Sequence, residues 1–162
     1  MYAELEATGA FGALSRDADE AEHSLELHLP FLVEVMRGHA FTVVPIVVGA
    51  LTARGEADYG ALLAPYLADA ANFFIISSDF CHWGSRFGFT FRRPEDGDIA
   101  AGVEWLDLQG MALIEARDAA GFGTYLQRYG NTICGRHPIA VFLQVRRGRH
   151  GTRGKNRCVA GA

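Results

Sequence analysis

Two nearly continuous apolar runs constrain this chain more than any other feature: residues 41–48 (Phe-Thr-Val-Val-Pro-Ile-Val-Val) and residues 73–76 (Phe-Phe-Ile-Ile). Runs of this kind, rich in β-branched and aromatic residues and without polar alternation, are expected for strands buried on both faces. Between them, residues 56–67 place Tyr59, Leu62, Leu63 and Tyr66 on one side of a helix. Strand, helix, strand predicts a parallel βαβ crossover. The fold class expected is therefore α/β, a sandwich with a largely buried central sheet and flanking helices.

Helical signals surround that unit. Residues 22–37 carry Leu25, Leu29, Leu32, Val33 and Met36 at spacings of three and four, with Gly38 as a stop and Pro30 as a bend or break. Residues 98–116 have Val103, Leu106, Gly110, Leu113 and Ile114 on one face, with Asp96 or Asp98 available as N-cap. Asp118 is placed to cap a further helix at 119–129, in which Phe122, Tyr125, Leu126 and Tyr129 recur and which Gly130 ends. Pro138 suits the first turn of a last helix, 138–145, after which every apolar pattern stops.

Composition excludes several classes. With 49% apolar and 21% charged residues the chain has the makings of a core, which rules out wholesale disorder. No apolar stretch reaches membrane-spanning length, and residues 1–6 have no signal-like pattern, so a soluble, cytoplasmic protein is expected, with the nucleus as a second compartment. Cys81, Cys134 and Cys158 lie far apart without a Cys-x-x-Cys pair, so reduced thiols are expected rather than a disulfide scaffold or zinc knuckle. Residues 145–162 hold six of the 15 basic residues and no acidic one. They lack aromatic residues for base stacking, so this tail is read as unfolded or incidental and no nucleic-acid partner is expected.

Three clusters carry chemistry. Glu22, His23, Ser24 and His28 form the first, but His23 and His28 stand about 140° apart around a helix, which excludes chelation as an i, i+4 pair. They serve either as acid, base or ligand, or as a helix-end partner and an exposed side chain. The second, Ser77, Ser78, Asp79, Phe80, Cys81, His82 and Trp83, directly follows the 73–76 run, where the carboxyl ends of parallel strands gather ligands. Asp79 and His82 have the chemistry of a carboxylate–imidazole pair; the alternative is a local Asp turn with His82 stacked on Trp83. The third, Asn131 to His137, leads into a helix N-terminus, where Cys134 suits a soft metal ligand or a reactive thiolate and Arg136 an anion. Its alternative is an inert buried thiol.

Taken together, Glu22-His23-Ser24-Leu25-Glu26-Leu27-His28-Leu29-Pro30, Ser77-Ser78-Asp79-Phe80-Cys81-His82-Trp83-Gly84 and Asn131-Thr132-Ile133-Cys134-Gly135-Arg136-His137-Pro138-Ile139 resemble the Memo family, named for a mediator of ErbB2-driven cell motility. Val44-Pro45-Ile46-Val47-Val48-Gly49-Ala50-Leu51 extends the likeness, which covers residues 1 to about 144 and is closest to eukaryotic members. The resemblance implies a sandwich related to the class III extradiol (LigB-like) dioxygenases, with a pocket of histidines and a cysteine associated with iron or copper. It assigns Cys134 and His82 as metal ligands. Asp79, His82 and Cys134 are its candidates for catalysis, and Glu22, His23, Ser78, Asp79, His82, Trp83, Arg136 and His137 line the pocket.

The implied function is a signalling adaptor rather than an enzyme. Its pocket engages a phosphotyrosine-containing receptor peptide or signalling protein and links receptor tyrosine kinase signals to motility and the microtubule cytoskeleton. The alternatives are an iron- or copper-dependent oxidoreductase or dioxygenase, and a truncated product without function. Two departures qualify this. The family's other pocket histidines belong to an N-terminal half that these residues do not match, so this chain alone is expected to bind metal weakly or not at all. Residues 1–144 are read as a partial Memo-like domain, and 145–162 as a tail foreign to the family, such as a frameshift or misread exon would produce.

Overall fold

Local side-chain chemistry starts most of the helices in the computed structural model, which describes residues 1–145 apart from 94 and 96. The chain divides into two compact units, with the boundary between Gly49 and Ala50.

In the first unit, helices α1 (Tyr2–Ala7), α2 (Arg16–Ala21) and α3 (Leu29–Val35) are short. Ser15 caps α2, its hydroxyl accepting the Ala18 N–H at 3.3 Å. The helix expected over 22–37 is split: a 3₁₀ turn at Glu26–His28 runs into α3, and Pro30 lies in the first turn of α3. Proline has no N–H to lose there, which is why the break falls just before it. Leu25, Leu32 and Met36 are half-buried, whereas Leu29 and Val33 of the expected apolar face are exposed, as are Phe31 and Val35.

The second unit contains α4 (Ala53–Ala68), α5 (Ile99–Glu115), α6 (Ala119–Tyr129) and α7 (Arg136–Gln144). Asp98 caps α5 by accepting the Ala101 N–H at 2.8 Å, and Asp118 caps α6 by accepting that of Gly121 at 2.8 Å. Asp96, the alternative cap, lies outside the described residues. Gly130 ends α6 at φ 63°, left-handed backbone that glycine adopts without steric cost. Helix α7 starts two residues before Pro138, which therefore sits inside its first turn.

Helix α4 packs on α7, α5 on α6, and α6 on α7. The α4–α7 contact is close at Gly60, where a Cβ would stand 2.8 Å from Gln144 Cβ and 2.9 Å from the Val141 carbonyl oxygen. The core comprises Leu106, Phe122, Tyr125, Ile133, Ile139 and Leu143.

The expected α/β sandwich is not what these residues form. Among the described residues the architecture is helical and has no sheet; the one ladder-like pairing is an isolated antiparallel bridge between Gly84 and Phe89. Helix α4 forms as expected, but neither flanking run is a strand, so there is no βαβ crossover. Nor are the runs buried on both faces: Val43 and Val47 are exposed in the first, and Phe73 (81%) and Ile75 in the second. Burial within 73–76 alternates residue by residue, as one covered side of a pleated segment would give. The reason for the error is that an apolar run reports what it gains by leaving water, whereas a strand also needs a neighbouring backbone to pair with. Residues 146–162, which include nearly all of the basic tail, lie outside the described residues.

Candidate functional site

The site is made where the loop after residues 73–76 meets the loop that leads into α7. Thr132 joins them: its Oγ1 accepts the His82 N–H at 2.7 Å and donates to the His82 carbonyl at 3.0 Å. Ser78 makes a second join, its Oγ accepting the Gly135 N–H at 3.0 Å and donating to the Asp79 carbonyl at 2.7 Å. The loops approach so closely that a Cβ on Gly135 would stand 2.6 Å from the Ser77 carbonyl oxygen. Only glycine fits there. Ile133, fully buried, anchors the second loop in the core.

These joins bring Cys134 onto Asp79, 55 residues earlier. The Asp79 N–H donates to Cys134 Sγ at 3.1 Å, and Sγ lies 3.6 Å from the Asp79 carbonyl oxygen. An Asp79 carboxylate oxygen, a His82 ring nitrogen and Cys134 Sγ all lie within 4.8 Å of one another. Asp79 and Cys134 are exposed and His82 is half-buried, so solvent reaches the trio from one side. The His82 ring packs against Phe87 at 5.1 Å between centroids, and its Nε2 is buried with no hydrogen-bond partner among the described residues. Burying such a nitrogen unpaired costs about 1–3 kcal/mol. Exposure of Cys134 removes the reading of an inert buried thiol.

The donor set suits a transition metal. One thiolate, one imidazole and one carboxylate match the ligand preferences of iron and copper sites. Asp79 thus stands beside His82 and Cys134 as a third residue that could hold an ion, where the sequence pointed to two.

Each of the other residues expected in the pocket has contacts of its own. Trp83 turns its indole N–H onto the Phe91 carbonyl at 3.0 Å, holding the loop together. His137 Nδ1 lies 2.8 Å from Glu56 Oε1 with both side chains largely buried, an α7–α4 tie that no local signal announces. Arg136 is exposed at the start of α7, its guanidinium 3.4 Å from the Ile133 carbonyl. Glu22 and His23 belong to the first unit. There the Glu22 carboxylate accepts the Ser24 N–H at 2.6 Å; hydrogen bonds from Ser24, with a smaller contribution from His23, hold its pKa below the ordinary carboxylate value.

Sequence reasoning missed the support beneath the loops. Asp107 on α5 accepts the Cys81 N–H at 3.2 and 3.3 Å and the Asn131 amide at 2.9 Å. Asn131, 4% exposed, also donates to the Tyr125 hydroxyl at 2.7 Å, which in turn donates to the Leu106 carbonyl at 2.9 Å. Burial pushes the Tyr125 hydroxyl up to about 12. Burial, then the Asp107 carboxylate, pushes the Cys81 thiol up as well. The available signal was an acidic residue beside Leu106 on the core face of an apolar helix.

The Memo-like protein family matches residues 1–157. Protein MEMO1 of Danio rerio is 50% identical over 147 residues, covering 90% of this chain and 50% of that protein. Protein MEMO1 of Homo sapiens is 48% identical over the same coverage, and protein memo-1 homolog of Caenorhabditis elegans is 44% identical over 143 residues, 88% of this chain and 41% of that protein. The chain thus spans about half the length of the relatives it matches. The order and spacing of the three motifs, together with this identity along nine-tenths of the sequence, establish that the chain belongs to the Memo-like family.

Proposed function

We propose that this chain carries a transition-metal-holding cluster of a Memo-like signalling protein, with Asp79, His82 and Cys134 as its donors. The observation that carries this is the convergence of the three donor atoms within 4.8 Å, drawn from two loops more than 50 residues apart. Iron or copper is the metal class that one thiolate and one imidazole favour. When bound, such an ion supplies Lewis acidity or a one-electron couple. This chain's residues bring the donors together, leave Asp79 and Cys134 exposed and pack Phe87 against the His82 ring.

Titration of the full chain with Co²⁺ as a spectroscopic probe tests the cluster. Cys134 and His82 alone are expected to bind metal weakly or not at all; with Asp79 as a third donor a thiolate-to-cobalt absorption band is expected, absent in Cys134→Ala and weakened in His82→Ala. A titration without that band in the unaltered chain refutes the proposal. Oxygen consumption by the iron- or copper-loaded chain, lost in Cys134→Ala, would favour the oxidoreductase alternative over the adaptor.

The adaptor role, with its link to receptor signals and motility, rests on the family resemblance and on one feature of this structure. Arg136 stands exposed at the first turn of α7 on the loop that bears Cys134, with its charge available for an anion. A phosphotyrosine peptide should bind the chain and lose affinity in Arg136→Ala; equal affinity for phosphorylated and unphosphorylated peptide removes this reading.

A further inference from the structure

Asp79, His82 and Cys134 come from two loops with no regular secondary structure, so something rigid must hold those loops in register. The rigid element is α5, and one of its side chains, Asp107, is hydrogen-bonded to both loops. The Asp107 carboxylate accepts the backbone N–H of Cys81, which lies between Asp79 and His82, and the side-chain amide of Asn131, three residues before Cys134. A carboxylate only accepts, so both neighbours must donate. This fixes which way Asn131 faces: its amide nitrogen serves Asp107 and the Tyr125 hydroxyl together, and its Oδ1 is left buried with no partner among the described residues. An orphaned oxygen inside the protein is costly and is retained where both amide hydrogens are needed. Tyr125 closes the chain on the Leu106 carbonyl, so the brace begins and ends on adjacent residues of α5.

We propose that Asp107 is the positioning residue of this site: through Cys81 and Asn131 it locks the two loops in the register that brings Asp79, His82 and Cys134 within reach of one ion. The proposal rests on the metal-holding reading for its ligand, while the brace itself is observable without metal. Asp107 touches no ion; it acts through the backbone of one loop and the side chain of the other. Groups of this outer kind change metal affinity by about 10- to 100-fold when removed.

The test compares Asp107→Ala, which loses every acceptor, with Asp107→Asn, which keeps one oxygen for both donors. Two readouts are taken on the full chain: Co²⁺ affinity with its thiolate band, and hydrogen exchange of the Asp79, Cys81 and His82 amides without metal. Asp107→Ala should weaken Co²⁺ by about 10- to 100-fold and expose the Cys81 and Asp79 amides, while Asp107→Asn stays near the parent in both. A merely structural role would lower stability and leave Co²⁺ affinity in the folded protein unchanged, and that result overturns the proposal. Should the parent chain take up no Co²⁺, the metal reading falls by itself and exchange decides the brace: lost protection in Asp107→Ala, kept in Asp107→Asn, upholds it, and unaltered protection overturns it. If Asp107→Ala does not fold, Asn131→Ala cuts the second half of the brace, and parental exchange at Asp79 in that variant overturns the proposal.

Discussion

At the scale of single residues, the site depends on groups whose importance is invisible locally. Gly135 is one of 19 glycines, and nothing around it in the sequence separates it from the others. In the fold it lets α7 begin against Ser78, and a Cβ would meet the Ser77 carbonyl oxygen at 2.6 Å. Gly135→Ala should therefore cost about 1–3 kcal/mol, read as a lower urea midpoint at unchanged slope. An unshifted midpoint would show that the loops part without cost. Tyr125 makes a second prediction. Its pKa is raised by burial to about 12, above the ordinary value of 10.0, so the folded protein keeps this proton when the unfolded chain has lost it. Its contribution to stability is then complete below about pH 10 and lost as pH rises towards 12. The urea midpoint should fall across that window, and fall less in Tyr125→Phe. Asp79, His82 and Cys134 were legible as metal-binding residue types, whereas Asp107 and Asn131 matter only because of what they touch.

At the scale of elements, helices were the readable part and strands were not. Asp98, Asp118 and Gly130 specify where α5 and α6 start and stop through hydrogen bonds and backbone preferences that span four residues, and the structure uses each as expected. Such signals are self-contained. The apolar runs at 41–48 and 73–76 were equally clear in pattern, yet pairing is a property of two segments, and among the described residues neither run has a partner. The α4–α7 contact shows the same limit. Its Glu56–His137 tie joins residues 81 apart, a partner that no local pattern names. His137→Ala should destabilise the chain by about 1–2 kcal/mol by stranding the Glu56 carboxylate. A double-mutant cycle with Glu56→Gln checks this; additive losses would show that the pair contributes nothing beyond its parts.

At the scale of the whole molecule, the described residues leave much large apolar surface in water. Phe31, Val33 and Val35 on α3 and Phe73 and Ile75 after α4 are exposed, more than scattered surface residues would explain. Phe73→Ser should accordingly change stability by no more than about 0.5 kcal/mol and reduce concentration-dependent association in sedimentation velocity. A core-sized loss of stability would contradict its exposure. Membership in the Memo-like family was legible because three long motifs recur in order, and identity carries across nine-tenths of the chain. The sequence by itself determined the boundaries of α5 and α6, the residue types with metal-ligand chemistry and the family, because each is written in local chemistry or in strings that comparison reads directly. The tertiary structure alone decided that the apolar runs stand unpaired among the described residues, that His137 meets Glu56, and that Cys134 meets Asp79 beside the hydrogen bonds of Asp107. Those outcomes depend on contacts between residues that lie tens of positions apart, and no local pattern encodes such a contact.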